Sequence, residues 1–311
     1  MGGIVTLTMN PSIDTSCRIP QVVAEQKLRC SSPRHEPGGG GINVSRAIKN
    51  LGGDSLALFP SGKIFGDLLT TLLGQEGVSC RKTDILGETR EDFIVLEETS
   101  GNQFRFGMPG PTMQEDEWQS LLGLLDTLGS QPEYIIGSGS LPPGVPAHFY
   151  ALLAKKASRL NAKLIVDTSG EALRHAVQLS IFMIKPNRRE LCMLRGRDGR
   201  KENDIEEMAK AIVNEGKCEN IVVSLGAAGA LLVRKDRSMY VRAPSVSVVS
   251  KVGAGDSMVA GIALSLSRGC GIEEAVKYGV AAGTSAVMSP GSELCRKGDT
   301  EELYKKIRAG G

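Results

Sequence analysis

Lys251-Val252-Gly253-Ala254-Gly255-Asp256-Ser257 joins a β-like segment at 245–250 to a helix-like segment at 258–268. Three small residues at such a junction leave backbone N–H groups free where a helix begins. The unpaired amides and the helix dipole together attract an anion there. Asp256 follows at once, beside any phosphate those amides hold and repelled by it. The placing suits a carboxylate that takes a proton from a neighbouring hydroxyl while the amides hold the phosphoryl group. The plainer alternative is a glycine-rich turn with Asp256 as an ordinary helix N-cap. The remainder of the chain decides between them.

Working outward, strand-like segments at 4–7, 55–59, 78–83, 134–137, 162–167, 181–184 and 220–224 alternate with helix-like ones at 65–76, 116–128, 146–160, 171–176 and 204–215. Helices are also expected at 258–268, 272–288 and 300–307, and strands at 230–233, 239–242 and 245–249. This rhythm reads as an α/β fold. Two β-like stretches interrupt it: the polar segment 15–36, and a hairpin, 93–97 with 103–106, turning at Thr99-Ser100-Gly101-Asn102. Together they predict a small accessory sheet, a lid inserted at about 12–36 and 88–110 in a single domain spanning 1–311. Arg90 and Arg105, on or beside the hairpin, offer guanidinium forks for a phosphate. Solvated surface charge is the alternative for each of them.

Pro37-Gly38-Gly39-Gly40-Gly41-Ile42-Asn43 precedes a helix whose apolar positions 44, 47, 48 and 51 share one face. Consecutive glycines cost chain entropy, and backbone passing close to a ligand explains them better than a linker does. Asn43, in the first turn, then offers its amide to a sugar hydroxyl. Asp14, in the polar loop Asn10-Pro11-Ser12-Ile13-Asp14 after the first strand, lies where open parallel sheets meet ligands.

Composition narrows the partners. Of 311 residues, 37 are basic and 35 acidic, so a net charge of +2 gives a polyelectrolyte nothing to grip. Aromatics at 4% leave no stacking platform for nucleic acid. Neither a signal peptide nor a spanning segment is legible. Seven scattered cysteines and three histidines point to reduced thiols and a cytoplasmic location rather than to zinc or disulfides. The P-loop pattern and a G-x-G-x-x-G after the first strand are both absent, while glycine-rich turns occur in each half. Two ligands are therefore expected, one in each half.

Three of these stretches, Gly38-Gly39-Gly40-Gly41-Ile42-Asn43-Val44, Lys185-Pro186-Asn187-Arg188-Arg189-Glu190 and Val252-Gly253-Ala254-Gly255-Asp256-Ser257, resemble the signatures of the ribokinase-like sugar kinases, the PfkB family. The resemblance extends over essentially the whole chain. It is nearest the minor-type bacterial 6-phosphofructokinases, through Lys27-Leu28-Arg29-Cys30, Glu36-Pro37, Arg105-Phe106-Gly107-Met108-Pro109-Gly110 and Val166-Asp167-Thr168-Ser169-Gly170-Glu171. Asn10-Pro11 also looks like the fructose-1-phosphate and tagatose-6-phosphate kinases. The resemblance implies an open, mostly parallel sheet flanked by helices, with a β-lid that forms a homodimer contact.

The same resemblance implies ATP and fructose 6-phosphate as substrates and Mg²⁺ as cofactor. Asp14 and Asn43 would hold sugar hydroxyls, with Gly39 and Gly40 letting the backbone approach the ring. Lys27 (across the dimer), Arg90, Arg105 and Ser140 would hold the 6-phosphate. Lys185, Asn187 and Glu190 would serve the ATP phosphates and the waters around Mg²⁺. Ser224, Gly226 and Gly229 would line the nucleotide. Gly253, Ala254 and Gly255 would form the anion hole, and Asp256 would take the proton from the sugar 1-hydroxyl. Ser250 and Val252 are candidate ligands of a monovalent cation such as K⁺. Lys251 between them either supplies the charge itself, crowds the ion, or points into solvent. A helix N-terminus should make Asp256 a weak base, since the dipole favours the ionised form. Rival readings are kinases of tagatose 6-phosphate or fructose 1-phosphate, and a non-catalytic sugar-phosphate sensor.

Overall fold

The runs Ile4-Val5-Thr6-Leu7, Leu164-Ile165-Val166 and Ile221-Val222-Val223 are buried on both faces, as strands covered by helices on two sides must be. The computed structural model describes residues 3–196, 202–290 and 293–310. In chain order its strands are β1 (Gly3–Leu7), β2 (Ser12–Ile19), β3 (Arg34–Gly38), β4 (Leu56–Ser61), β5 (Ser79–Asp84), β6 (Arg90–Glu97) and β7 (Gln103–Phe106). They continue as β8 (Pro132–Ser138), β9 (Lys163–Asp167), β10 (Ile181–Ile184), β11 (Cys218–Ser224), β12 (Ala230–Val233) and β13 (Ser238–Val241). The helices are α1 (Gly40–Asn50), α2 (Lys63–Gln75), α3 (Glu115–Gly123), α4 (Phe149–Arg159) and α5 (Gly170–Ala176), then α6 (Arg188–Arg195), α7 (Glu202–Asn214), α8 (Ala254–Ser267), α9 (Ile272–Val287) and α10 (Lys297–Ala309).

A nine-stranded sheet runs β13-β12-β11-β10-β9-β8-β1-β4-β5. Its pairs are parallel from β5 to β11, and antiparallel where β12 and β13 extend the edge. Alternate side chains serve two cores. Leu7, Ile135, Val166 and Ile221 pack with Phe149, Tyr150, Leu173 and Ile212 on one face. Ile4, Ile136, Ile165 and Val222 pack with Val44, Ile48, Val259 and Val276 on the other. The chain leaves β1 toward β4 on one side and later places β8 on the other. That reversal opens a crevice at the carboxyl ends of the strands, where ligands of such sheets bind.

A second sheet, β3-β2-β6-β7, is built from the two β-like interruptions. Its register sets Asp14 opposite Glu36 on one side and Asp92 on the other, and Ser12 opposite Arg90, so these polar groups share a face. Ile13 turns the other way and joins Ile42, Phe59 and Leu69, which anchors the small sheet to the body. Farther out on that second face Phe93 pairs with Phe106, and both are exposed, at 37% and 49%.

Four expectations change. Asp14 lies within a strand rather than in a loop, because the residues after β1 pair at once with β3 and β6. The segment 245–249 forms no ladder; instead the N–H groups of Val249 and Ser250 both donate to Val287 O at the end of α9, at 2.8 and 3.2 Å. Helix α8 begins at Ala254, so Asp256 belongs to its first turn and Gly253 is the cap residue. Helix α6 was not anticipated, although its N-terminus carries the Asn-x-x-Glu pattern of a capping box.

Candidate active site

The glycine run is shaped first of all by the protein itself. A Cβ on Gly38 would collide with the Asp14 carboxylate, and one on Gly40 with the Ser138 hydroxyl; at Gly41 it would come 2.6 Å from Thr8 Oγ1 and 2.8 Å from Leu7 O. Gly39 has φ 106°, a backbone state that side chains resist. The small sheet, β1, β8 and α1 converge here with room for backbone alone. Ligand approach is therefore not needed to explain the four glycines.

Helix α1 delivers Asn43, and α8 delivers Asp256. Asn43 Nδ2 donates to Asp256 Oδ2 at 3.0 Å, so the amide expected at a sugar hydroxyl faces the Asp256 carboxylate. The Asp256 pKa is pushed up to about 6, first by burial and then by the nearby Asp167 charge. Asn43 and Lys185 pull it back down, and Asp14 adds to the rise. The expectation of a weak base held low by the helix dipole is thus overturned, because desolvation and two neighbouring carboxylates outweigh the dipole. A carboxylate with a pKa just below neutrality is ionised at pH 7 and can accept a proton with little penalty.

Lys185 follows β10 and is buried, its Nζ 3.1 Å from Asp167 Oδ1 at the end of β9. Burial works against the ammonium, but Asp167, Asp256 and Glu190 hold its pKa above the ordinary lysine value. The same Nζ lies 3.3 Å from where a Cβ on Gly255 would stand. A fixed positive charge therefore sits against the first-turn amides of α8. Asn187 caps α6: its Oδ1 accepts from Glu190 N at 2.9 Å, and its own N–H donates to Glu190 Oε2 at 2.8 Å. Glu190 is half-buried, and burial first, then the Asp167 charge, raises its pKa against the pull of Lys185 and the Asn187 amide.

The nucleotide candidates line the adjoining strand end. Ser224 N donates to Pro186 O at 2.9 Å, which joins Ser224 to the Asn187 segment. Gly226 begins the 3-10 turn Gly226–Ala228. Gly229 packs against the Val241 carbonyl, where a Cβ would collide. Ser250 and Val252 are buried, with Val252 N donating to Ser250 Oγ at 3.2 Å. Lys251 is exposed and pairs with nothing among the described residues, which leaves the solvent-facing alternative.

On the small-sheet side, Arg90 is locked in place. Nη1 donates to Met108 O at 3.0 Å and pairs with Asp92, while Nη2 donates to Asn10 O at 3.3 Å. Its Nε is buried and finds no partner among the described residues. Asn10 Nδ2 in turn donates to Ser140 Oγ at 3.1 Å. Arg90, Asn10 and Ser140 thus form one rim. Arg105 is exposed on β7, yet its charge reaches Asp14, whose pKa burial raises. Lys27 is exposed between β2 and β3 and joins no hydrogen bond or ion pair among the described residues; within one chain it is not brought to the site.

Asp167, Asn10 and Arg46 stand at the site although the sequence motifs gave them no role there. Asp167 is the acid that ends a central strand, and Asn10 sits in the first polar loop, so position relative to strand ends was the available signal. Arg46 carried no signal beyond its place one turn after Asn43.

A family model described as pfkB family carbohydrate kinase matches residues 7–297. The ATP-dependent 6-phosphofructokinase isozyme 2 of Escherichia coli (strain K12) is 43% identical over 302 residues, 97% of each chain. A crystal structure of the phosphofructokinase-2 from Escherichia coli in complex with fructose-6-phosphate superposes with a TM-score of 0.94 at 41% identity, covering 99% of this chain and 100% of that one. The 1-phosphofructokinase of Bacillus subtilis (strain 168) is more distant, 31% identical over 305 residues and 98% of each chain.

Proposed function

The chain belongs to the pfkB family of carbohydrate kinases, and we propose that it phosphorylates fructose 6-phosphate at the 1-hydroxyl with ATP, giving fructose 1,6-bisphosphate and ADP. The observation that carries this reading is Asp256 itself. It is a half-buried carboxylate with a pKa near 6, set in the first turn of α8 and held by Asn43 across the crevice. A sensor has no need of such a base. The likeness to 6-phosphofructokinases, at 43% identity against 31% for a 1-phosphofructokinase, favours the 6-phosphate acceptor.

In this reading Asp256 orients the 1-hydroxyl and takes its proton as the phosphoryl group departs. The N–H groups at Gly253, Ala254 and Gly255 receive the transferring phosphoryl, and Lys185 neutralises charge beside them. Asp14 contacts sugar hydroxyls from the small sheet, at the edge of the glycine run Gly39-Gly40. Arg90 and Ser140 hold the 6-phosphate, with Arg105 closing from β7 and Lys27 reaching in from a second chain. Asn187, Ser224, Gly226 and Gly229 border the ATP. Mg²⁺ travelling with ATP would neutralise its phosphates, and Glu190 together with Asp167 supplies carboxylates suited to hold it through water. Ser250 and Val252 frame a site for K⁺. The chain acts as a single domain with the small sheet as lid, in the cytoplasm, where its seven unpaired cysteines stay reduced. The exposed Phe93–Phe106 face supports a homodimer through the lid.

A coupled ADP-release assay with Mg-ATP tests the reading. Fructose 6-phosphate, tagatose 6-phosphate and fructose 1-phosphate are compared at equal sub-saturating concentration. Preference for fructose 6-phosphate upholds the assignment. Preference for either rival keeps the chemistry of Asp256 and rejects the acceptor, and absence of turnover with all three rejects the kinase. Light scattering of the purified chain tests the assembly: a dimer is expected, and a monomer rejects the lid contact.

A further inference from the structure

Arg46 lies one turn beyond Asn43 on α1, and its side chain is 5% exposed. Its guanidinium is used on every side. Nε and Nη2 donate to the two Glu76 oxygens at 2.6 and 2.7 Å, a bidentate pair that ties α1 to the end of α2. Nη1 donates to Pro37 O at 2.9 Å, where β3 enters the glycine run, and to Asn43 Oδ1 at 3.5 Å. Nη2 also faces Glu36 Oε1 at 3.7 Å.

A guanidinium can only donate, and an ionised carboxylate can only accept. Asn43 stands between one of each, with Oδ1 toward Arg46 and Nδ2 toward Asp256. The flipped amide would set N–H against N–H on one side and oxygen against oxygen on the other. In a buried site both contacts are costly. The Arg46 charge facing Oδ1 also polarises the amide and strengthens Nδ2 as a donor.

We propose that Arg46 is a positioning residue of the phosphoryl-transfer centre: it fixes the Asn43 amide so that Nδ2 faces Asp256, and so sets the orientation and basicity of that carboxylate. The proposal deepens the kinase reading and rests on it for the role of Asp256. It extends the site through Asn43 and Arg46 to Glu76, at the far end of the second helix. The other charged groups that act on Asp256 include Asp167 from β9, Lys185 from the end of β10 and Asp14 from β2, and among the described residues only Arg46 is hydrogen-bonded to the Asn43 amide oxygen.

The test needs no turnover. The Asp256 carboxyl is titrated by NMR in full-length ¹³C-labelled protein, with Asp256→Asn as the assignment control. Arg46→Met is expected to move its midpoint upward by about one pH unit, a tenfold change in proton affinity. Arg46→Lys, which keeps the charge without the fork and serves if Arg46→Met does not fold, moves it the same way by less. In an Asn43→Ala background, Arg46→Lys leaves the midpoint where Asn43→Ala alone puts it. An unmoved midpoint in folded Arg46→Lys, or an equal movement in both backgrounds, overturns the proposal. In the coupled assay Arg46→Lys lowers kcat by roughly tenfold or more with the KM for ATP little changed, as loss of orientation does; an unaltered kcat also overturns it. If the unmodified protein turns over no phosphosugar, the kinase reading falls while the titration still decides Arg46.

Discussion

Asn43 and Asp256, 213 residues apart in the chain, meet through a 3.0 Å hydrogen bond from the Asn43 amide to the Asp256 carboxylate. The bond joins α1, which follows the glycine run, to the first turn of α8. Asp256→Asn keeps the shape and removes the charge that Asp167 and Asp14 disfavour. We expect kcat to fall by about 10²- to 10⁴-fold, the usual worth of a positioned base. Melting at pH 7.5 should be unchanged or raised. Retention of most activity would show that Asp256 is not the base.

The raised pKa fixes the sign of the pH response. In the free protein Asp256 binds a proton below about pH 6, so kcat/KM should fall on its acid side. Stability runs the opposite way. The folded state holds this proton more tightly than the unfolded one, so the contribution of Asp256 to stability is full below the ordinary carboxylate range and is lost as pH rises through about 6. Asp167→Asn removes a charge that raises the Asp256 pKa and releases Lys185 toward it. The acid limb of kcat/KM should therefore move to lower pH, and a move to higher pH would contradict this electrostatic account.

Arg90 is oriented by Asp92, Met108 O and Asn10 O before any ligand arrives. Arg90→Ala should raise the KM for fructose 6-phosphate by roughly 10- to 100-fold, the worth of a charge-assisted hydrogen bond. The KM for ATP should hardly change. Equal loss for both substrates would indicate collapse of the small sheet rather than loss of a phosphate ligand.

Gly38→Ala tests what the glycine run is for. The added methyl meets the Asp14 carboxylate and the Ser12 hydroxyl, both internal to the protein. Thermal or urea unfolding should show a loss of about 1–3 kcal/mol from overpacking, accompanied by a higher KM for the sugar phosphate. Unchanged unfolding with a weakened KM would return the glycines to the role of ligand clearance alone.

Lys251 is exposed beside the buried Ser250 and Val252, which favours the solvent-facing alternative over an ammonium standing in for a cation. Replacing sodium or Tris by K⁺ should raise turnover, and Lys251→Ala should respond to K⁺ as the unmodified chain does. Potassium-independent turnover that collapses in Lys251→Ala would reverse this.

Periodicity along the chain was enough to read the α/β alternation, the hairpin at Thr99–Asn102 and the junction at Gly253–Asp256, because these follow from residues close in sequence. The motifs also marked Asp256, Lys185, Asn43 and Arg90 as chemistry-bearing. What local pattern could not express was who faces whom. The Asn43–Asp256 bond, the Lys185–Asp167 pair and the Arg46–Glu76 fork join different elements, and each depends on strand order and helix packing. The same holds for the base strength of Asp256. A helix N-terminus alone argues for a low pKa, while burial beside two other carboxylates drives it up, and burial is a property of the assembled fold. The segment 245–249 makes the point for secondary structure: its β-branched residues suit a strand, but its N–H groups find the end of α9 instead. Sequence alone therefore singled out the candidate residues for the chemistry; tertiary structure decided their pairing, orientation and charge state, since those arise only when distant segments exclude water together.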